Sequence, residues 1–219
     1  MSSFDRNWRP TRLKSASSDL VNRADELRAS LRPLDPELIA ARSGITYHLL
    51  GPDRGELHFP FWGKLVILTW PELTAYNNAD DPSPAFQQAL FLYYLITADA
   101  APLSGKWVSF ADLPDGRMYN AAFQGYTGDE ISKIFSLELR DFETACEKAG
   151  GQAVDTGDAA FRFQALPRVE LLVVYHLGDE DFPSSCKILF DASATHYLPI
   201  DGCAILGSLL VKKILTHSG

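Results

Sequence analysis

The sequence predicts an α+β fold with a mixed, mostly antiparallel sheet, a buried central helix, two N-terminal helices and a C-terminal helix. Three observations support this prediction. Strand-like segments come in runs instead of alternating singly with helices, which favours antiparallel pairing over a doubly wound fold. Residues 86–96 leave almost no polar face, which is typical of a helix buried on most sides. Helical spacing of apolar residues opens and closes the chain.

Two helices are predicted before the first strand. Apolar residues recur at helical spacing at Leu20, Ala24, Leu27 and Leu31. Ser17 or Ser18 is placed to cap this helix, because a serine side chain accepts hydrogen bonds from the first backbone amides of a helix. Asp35 followed by Pro36 predicts the start of a second helix, which Gly44 ends.

Strand signals follow these helices. Residues 45–49 and 56–59 flank a Gly-Pro-Asp-Arg-Gly segment that favours a tight reversal, so we expect a hairpin. Residues 64–70 continue as a third strand. Ser83 as the N-cap and Pro84 at the first helical position predict the start of the buried central helix.

The second half of the chain contains turns, one long helix, further strands and a final helix. A short strand over residues 107–110 precedes a helix over residues 129–148, which two glycines end. Further strands are predicted at residues 161–165, 169–177 and 187–190. The strand over residues 169–177 is nearly continuously apolar and is expected to lie at the centre of the sheet. Asp201 is predicted to cap a last helix that begins at about Gly202.

The charge balance argues against one class of partner. The 20 basic and 28 acidic residues give a net charge of −8. An acidic surface repels phosphate backbones, so nucleic acid is not an expected partner. Residues 1–14 form a local exception, because four basic residues outnumber one acidic residue there. We therefore expect a basic flexible tail over residues 1–16 and a single α+β domain over residues 17–219.

Cysteine usage and hydropathy favour the cytoplasm. Cys146, Cys186 and Cys203 form no close pair, which argues against a disulfide framework and a cysteine-rich metal site. Cys203 in the first turn of the last helix could gain thiolate character, although burial is the expected state. The N-terminus lacks the apolar core of a secretion signal. The longest apolar run, residues 89–96, is far shorter than the ~20 residues that span a bilayer, so no membrane span is expected.

No metal site is predicted from the histidines. The candidate ligands are His48, His58, His176 and His196. No Cys-x-x-Cys, His-x-x-x-His or Glu-x-x-His spacing occurs. The sequence leaves open a site assembled from distant strands.

The strongest candidate site lies where an apolar strand meets a loop near the C-terminus. Asp191, Ser193 and His196 follow residues 187–190 within one short segment, and such junctions often carry chemistry. These are the residue types of a hydrolytic triad, but neighbours on one loop rarely achieve triad geometry, and no Gly-x-Ser-x-Gly motif occurs. Three interpretations stay open: the polar groups stabilise the turn, they bind a ligand, or His196 is a catalytic base oriented by Asp191.

Aromatic residues complete this candidate site. Tyr94 or Trp107 is expected to pack near Asp191 or His196, since a buried tyrosine or tryptophan needs a partner for its polar atom. With the neighbouring tyrosine they give the predicted ligand-binding residues Tyr94, Trp107, His196 and Tyr197. Asp191 itself is expected to be partly buried and hydrogen-bonded.

Several segments are distinctive in combination, notably Tyr93-Tyr94-Leu95, Leu113-Pro114-Asp115-Gly116 and residues 102–110, 157–163, 166–169 and 188–199. Together they resemble a prokaryotic family catalogued as domain of unknown function 3786, over about residues 35–215. The resemblance implies no activity. Some relatives carry an added cysteine-rich domain thought to hold an iron–sulfur cluster, which three scattered cysteines cannot hold by themselves. The resemblance thus implies a link to anaerobic redox or corrinoid metabolism by association alone.

The leading functional interpretation is a domain that binds a small ligand or a redox cofactor, such as a tetrapyrrole, or a redox partner protein. A pocket beside residues 86–96 with a few polar groups would have the usual design of a ligand site. The first alternative is a hydrolase or transferase that uses His196 with Asp191. The second is a structural interaction module that uses the basic tail and an exposed apolar patch. The sequence identifies no specific cofactor and leaves a homo-oligomer open.

Overall fold

Two antiparallel sheets and the helices packed against them make up the protein. The computed structural model describes residues 21–77, 81–136 and 139–218. Its helices are α1 (Ala24–Leu31), α2 (Pro36–Ser43), α3 (Ala85–Thr97), α4 (Gly116–Tyr126), α5 (Gly128–Phe135), α6 (Leu139–Lys148) and α7 (Ile200–Leu215). Its strands are β1 (Thr46–Gly51), β2 (Arg54–Phe61), β3 (Lys64–Trp70), β4 (Ala75–Asn77), β5 (Trp107–Ser109), β6 (Gln152–Val154), β7 (Ala159–Leu166), β8 (Val169–His176) and β9 (Ser185–Asp191). Short 3₁₀ helices cover Phe110–Asp112 and Ala192–His196.

The first sheet is an antiparallel meander in the order β1-β2-β3-β4. The predicted hairpin is confirmed, with Thr46 opposite His58, and the third strand has the predicted bounds. Side chains alternate along β2, so that Leu57, Phe59 and Phe61 are buried while their neighbours are at least partly exposed. The strand β4 was not predicted, because three residues are too few to show an alternating pattern.

The second sheet has the strand order β5-β9-β8-β7-β6, and each neighbouring pair is antiparallel. The central position predicted for β8 and the interior position expected for β9 are both confirmed. The sequence suggested one mixed sheet, whereas the strands on either side of α3 pair among themselves and form two. The sheets meet where the amide of Trp62 donates to the carbonyl of Ala165 at 3.0 Å.

Helix α3 is the buried central helix that the sequence predicts. Phe91 is fully buried, and its ring contacts Phe59 and Phe61 edge-on, with centroids 5.1 and 5.0 Å away. Further along the helix, Tyr94 stacks on Tyr197 at 5.6 Å. The helix therefore packs against both the first sheet and the segment that follows β9.

The start of α3 differs from the prediction. Its N-cap is Pro84 and not Ser83. The amide of Ser83 donates to the carbonyl of Ala75 in β4 at 2.8 Å, which ties the residue to the first sheet. Its hydroxyl is buried and has no hydrogen-bond partner among the residues that the structure describes.

Both helices before the first strand are present. Asp35 caps α2 as predicted, since its carboxylate accepts the amide of Glu37 at 2.9 Å. Gly44 ends that helix in the left-handed conformation, which glycine adopts without steric cost. The N-cap of α1 is Arg23. The predicted serine caps and the basic tail over residues 1–16 lie outside the described residues.

The helices of the second half differ from the predicted bounds. The helix expected over residues 129–148 is two helices, because Ser136 ends α5 with a φ of 34°. The carbonyl of Ser136 accepts the hydroxyl of Tyr175 at 2.6 Å, so a tertiary contact accompanies the break. Helix α4 was not predicted. Helix α7 begins with Pro199 as its N-cap, so Asp201 lies inside the first turn and does not cap the helix.

Aromatic side chains from α4 and α6 cover the inner face of the second sheet. Phe123 of α4 stacks on Phe110 at 4.1 Å and lies 5.9 Å from Phe190 of β9. Phe142 of α6 stacks on Tyr175 of β8 at 4.7 Å. Helices packed on antiparallel sheets confirm the α+β class. In the described part of the chain, no helix is long and apolar enough to cross a membrane.

Candidate functional site

Asp191, which ends β9, is enclosed by hydrogen-bond donors. Its Oδ1 accepts the amide and hydroxyl of Ser104, both at 2.9 Å, and the amide and hydroxyl of Ser193 at 2.9 and 2.6 Å. Its Oδ2 accepts the amide of Gly105 at 2.7 Å. The residue is 1% exposed, so the expectation of a buried, hydrogen-bonded carboxylate is confirmed. Burial alone would raise its pKa, but the hydrogen bonds from Ser193 and Ser104 outweigh burial, and the pKa is lowered.

Ser193 does not have the environment of a nucleophile. The residue is buried, and its hydroxyl donates to Asp191 instead of to a histidine. A catalytic serine needs a base that accepts its proton. Asp191 and Ser193 therefore stabilise the turn after β9, which is the first of the three interpretations that the sequence left open.

His196 pairs with a residue that the sequence did not single out. Its Nδ1 lies 2.6 Å from Oδ2 of Asp99, and both side chains are about half exposed. The other oxygen of Asp99 accepts the amide of Ala101 at 3.0 Å. The hydrogen bond with His196 is the largest influence that lowers the pKa of Asp99. The hypothesis that Asp191 orients His196 is corrected accordingly, because Asp191 is held by its own donors and Asp99 contacts the imidazole.

Tyr94 and Tyr197 are buried core residues whose hydroxyls bond the backbone. Both are fully buried. The Tyr94 hydroxyl donates to the carbonyl of Ser43 at 2.5 Å and accepts the amide of Arg168 at 3.2 Å. The Tyr197 hydroxyl donates to the carbonyl of Ala101. With their hydroxyls committed to the backbone, the two rings join α2, α3 and the segment around residue 101.

Trp107, the remaining predicted binding residue, lies opposite Asp191 in the pairing of β5 with β9 and is half-buried. Trp107 thus meets the expectation of an aromatic beside Asp191, whereas the expected partner of Tyr94 is corrected, because its hydroxyl bonds the backbone of Ser43 and Arg168. The structure thus brings the predicted residues into one region of the fold. None of Tyr94, Trp107, His196 or Tyr197 lines either of the two cavities described below.

The other candidate histidines, His48, His58 and His176, lie in two separate groups of contacts. His48 and His58 face each other across the first hairpin with ring centroids 4.3 Å apart, and Nε2 of His58 lies 2.7 Å from a Glu56 oxygen. His176 lies 3.8 Å from Asp158. Over residues 21–77, 81–136 and 139–218, no group of three or more histidine, cysteine or acidic side chains is placed to hold a metal ion.

The three cysteines are buried thiols. Burial raises the pKa of Cys203 to about 12 and also raises the pKa values of Cys146 and Cys186. The position of Cys203 near a helix start therefore does not produce a thiolate, since desolvation dominates.

A cavity of about 370 Å³ lies where the turn between β2 and β3 meets the edge of β7. We call it the first cavity. Its polar lining consists chiefly of Trp62, Lys148, Gln152, Arg162, Glu170 and Lys213. These residues come from the turn, the end of α6, three strands of the second sheet and the end of α7. The fold thus gathers three cations and one carboxylate from distant parts of the sequence.

A second cavity, of about 430 Å³, adjoins the first. Both cavities are lined by Trp62 and Lys213, and we call the pair the cleft. The second cavity adds the cations Lys64 and Lys212 and apolar side chains such as Leu209. No acidic residue is among its described lining residues.

Arg162 is held in place at the first cavity. Its Nη2 donates to Oε1 of Gln152 at 2.7 Å, and its Nη1 lies 3.8 Å from Oε2 of Glu170. Burial raises the pKa of Glu170, although the charge of Arg162 opposes the increase. A carboxyl with a raised pKa beside a fixed guanidinium in a cleft is a recurrent feature of functional sites.

The lysines of the cleft have no acidic partner in the part of the chain that the structure describes. Among the described residues, Lys64, Lys148, Lys212 and Lys213 take part in none of the ion pairs. Burial lowers the pKa of Lys213, and the charge of Lys64 lowers it further. Two neighbouring cations, one of them partly removed from water, repel each other. The cleft is therefore an electropositive region of an acidic protein.

Trp62 has two further unusual features. Its φ is 50° and that of Gly63 is 77°, the left-handed pair that a two-residue hairpin turn requires and that a residue with a large side chain rarely adopts. Its indole Nε1 is buried and has no hydrogen-bond partner among the described residues. Buried polar groups are almost always paired. The unpaired indole N–H therefore belongs to the residue that lines both cavities.

The cleft leaves little signature in the local sequence, because its cations have local explanations. Lys212 and Lys213 lie in the last turn of α7, where positive charge suits the helix dipole. Arg162 alternates with apolar residues on a half-buried strand. One local signal existed, because Trp62-Gly63-Lys64 places a large aromatic and a cation in a tight turn.

The model of one protein family, described as Domain of unknown function (DUF3786), matches residues 35–213. The chain belongs to this family. No curated protein and no solved structure matches the chain significantly. The range matched to DUF3786 includes both sheets, the pair formed by Asp99 and His196, and every residue named above as lining the cleft.

Proposed function

We propose that this protein binds a small organic anion in the cleft. The observation that carries the proposal is the group of cations around the two cavities: Lys64, Lys148, Arg162, Lys212 and Lys213. A protein of net charge −8 has ample carboxylates to neutralise these cations, yet Glu170 is the only acidic residue among the described lining residues. An anionic ligand would relieve the repulsion between them.

The helix dipoles alone do not account for this arrangement. Lys148 and Lys213 do lie at helix C-termini, where a cation is favourable. Lys64 begins β3 and Arg162 lies within β7, and neither position offers such a benefit. Carboxylates and phosphates are the groups that a lysine cluster and a guanidinium bind best. The volumes of the cavities are those of sites for small molecules.

The sequence led us to expect a small ligand or a redox cofactor such as a tetrapyrrole, and the cleft favours the small ligand. A metal tetrapyrrole is usually held by an axial histidine, cysteine, methionine or tyrosine. None of these residue types is among the described residues that line the two cavities. The cleft therefore favours an organic anion that is bound through its acidic groups. Cytoplasmic location, a redox partner protein and self-association stay predictions.

Titration of the full-length protein with small carboxylates and phosphate esters tests the proposal. We expect binding by calorimetry that weakens with salt, since the contacts are ionic. Arg162→Gln and Lys213→Gln should each reduce affinity about tenfold, the loss expected for one charge-assisted hydrogen bond. Lys187→Gln is the matched control, because Lys187 is an exposed cation of β9 outside the cleft. Equal affinities for all four proteins would contradict the proposal.

The pair formed by Asp99 and His196 favours a second candidate, a hydrolase or transferase with His196 as the base. Asp99 holds Nδ1 of the imidazole, which is the way a carboxylate orients a catalytic histidine. Turnover on ester, amide or phosphate panels should be lost in His196→Ala and reduced in Asp99→Asn. His176→Ala is the control, because this histidine is similarly exposed but lies 3.8 Å from its carboxylate. Activity that survives His196→Ala would exclude this candidate.

A further inference from the structure

The cations of the cleft fall into two groups, one lining each cavity. Lys148 and Arg162 line the first cavity alone, and Lys64 and Lys212 line the second cavity alone. Trp62 lines both. A small anion such as acetate could neutralise one of these groups but would leave the other unsatisfied.

The two ends differ in what surrounds the charge. In the first cavity, Arg162 is fixed by Gln152 and lies near Glu170, so its guanidinium is pre-oriented for a planar anion such as a carboxylate. In the second cavity, the lysines have no acidic neighbour among the described lining residues. Flexible ammonium groups bind an anion as point charges and accept more varied geometries.

The middle of the cleft is suited to an apolar body. The ring of Trp62 forms part of both cavities, and Phe61, Leu65 and Leu209 line the second. Leu65 is 51% exposed, so apolar surface is available there for contact. Aromatic and aliphatic side chains of this kind usually contact the non-polar part of a ligand.

We propose that the cleft binds one elongated dianion, with an acidic group at each end and an apolar or aromatic body against Trp62. This inference rests on the proposed function and specifies its ligand class. The group at the Arg162 end is a carboxylate or a phosphate ester, because both have the oxygen geometry that a guanidinium recognises. Lys213, which lines both cavities, contacts the body or either end.

The test is a length series measured by calorimetry on the full-length protein. The probes are linear α,ω-dicarboxylates from malonate to dodecanedioate, the monocarboxylates of equal length, and α,ω-alkanediol bisphosphates. Affinity should pass through a maximum at one length, where the dicarboxylate binds at least about tenfold more tightly than the matched monocarboxylate, the gain expected for a second charge-assisted contact. The bisphosphate series decides which acidic group is preferred.

Two variants locate the ends of the ligand. Arg162→Gln and Lys64→Gln should each weaken the best dianion about tenfold, and together about a hundredfold, because they remove independent contacts. Against the matched monocarboxylate, Lys64→Gln should have a much smaller effect than Arg162→Gln. Trp62→Phe should lower the affinity for dianions while preserving the preferred length.

The outcomes separate this inference from the proposed function. If monocarboxylates and dicarboxylates bind equally, or affinity does not depend on length, the two-ended ligand is wrong. In that case an effect of Arg162→Gln on monocarboxylates would still support an anion site. If no probe binds and neither variant differs from the unaltered protein, both the inference and the proposed function are wrong.

Discussion

The imidazole Nδ1 of His196 lies 2.6 Å from Oδ2 of Asp99, although the two residues are 97 positions apart in the chain. The bond connects the 3₁₀ helix after β9 to the loop that follows α3. Ala100, next to Asp99, has a φ of 71°, an uncommon conformation for a residue with a side chain. Asp99 is therefore held on both sides, by the imidazole and by the amide of Ala101.

This pair should show measurable energetic coupling in a double-mutant cycle of Asp99→Asn and His196→Asn. Each change should lower the melting temperature by no more than a few degrees, since exposed pairs contribute little. The pair of Asp158 and His176 is the control, because it has similar exposure but a separation of 3.8 Å. We expect no coupling there, and equal coupling in the two cycles would contradict a specific bond between Asp99 and His196.

Replacing Asp191 should destabilise the protein strongly. Asp191→Asn keeps the size of the side chain but replaces one carboxylate oxygen with an NH₂ group. That group cannot accept the hydrogen bonds that the amides of Ser104, Gly105 and Ser193 donate to the carboxylate. We expect a loss of about 3 kcal/mol in the free energy of unfolding, because buried donors are left without acceptors. Urea denaturation measures it. Asp112→Asn, which changes an exposed carboxylate bonded to Ser109, should have a clearly smaller effect.

The same substitution should change the pH dependence of stability. Burial raises the pKa of Asp191, but hydrogen bonds from Ser193 and Ser104 outweigh it, so the folded-state pKa lies below the unfolded value. The contribution of ionised Asp191 to the free energy of unfolding is therefore complete above the unfolded pKa of ~3.9. It is lost as the pH falls through the folded pKa. The difference between the original protein and Asp191→Asn should therefore shrink from pH 7 to pH 3. An unchanged difference would contradict this assignment.

Glu170 should behave in the opposite way. Burial raises its pKa in the folded state, so ionisation costs stability, and that cost grows as the pH rises from the unfolded pKa through the folded pKa. Glu170→Gln should therefore match the original protein at low pH and melt at a slightly higher temperature at pH 8. Glu147→Gln, an exposed position on α6, is the control and should give similar shifts at both pH values.

Gly128 should tolerate no side chain. A Cβ at this position would collide with the carbonyl oxygen of Cys186 and the amide nitrogen of Gln124, because α5 starts directly against β9. Gly128→Ala should cost about 2 kcal/mol, as overpacking does. Gly125→Ala is the matched control, since nothing lies within 4 Å of its Cβ position. It should stabilise α4 by about 0.5–1 kcal/mol, and denaturation curves of both variants would compare the two.

The cysteines should resist labelling in the folded protein. Cys146, Cys186 and Cys203 are buried, and burial raises their pKa values, so neither exposure nor thiolate character favours reaction. With a thiol reagent at pH 8 we expect slow labelling in buffer and rapid labelling of all three in urea. Rapid reaction of one thiol in buffer would show that its element opens locally.

Local sequence patterns predicted those features of the fold that depend on residues close together in the sequence. The Asp35 cap, the bounds of β3 and the central place of β8 all follow from sequence spacing. Helix α4 was not predicted, because only Gly116 and Phe123 are buried in it and its sequence therefore shows no apolar stripe. The break at Ser136 coincides with a contact to Tyr175 on another element, which no local pattern records.

The candidate site also has features that the sequence could predict and features that it could not. A carboxylate that ends an apolar strand must be hydrogen-bonded, so the environment of Asp191 was predictable in kind. The partner of His196 was not, because Asp99 comes from a loop near the middle of the chain. The cations of the cleft come from β3, α6, β7 and α7, and they could be recognised as a group only after the two sheets had been placed.

The hydrogen bond between Trp62 and Ala165 also protects an edge of the second sheet. Strand β6 pairs with β7 only from Ala160 to Arg162, and beyond this point the turn that carries Trp62 occupies the carbonyl of Ala165. Phe163 and Leu166 lie on this stretch and are buried. Exposed apolar strand edges recruit strands from other molecules. Loss of the contact between Trp62 and Ala165 would therefore uncover a strand edge prone to aggregation, and because Trp62 lines both cavities, one residue serves both the cleft and this edge.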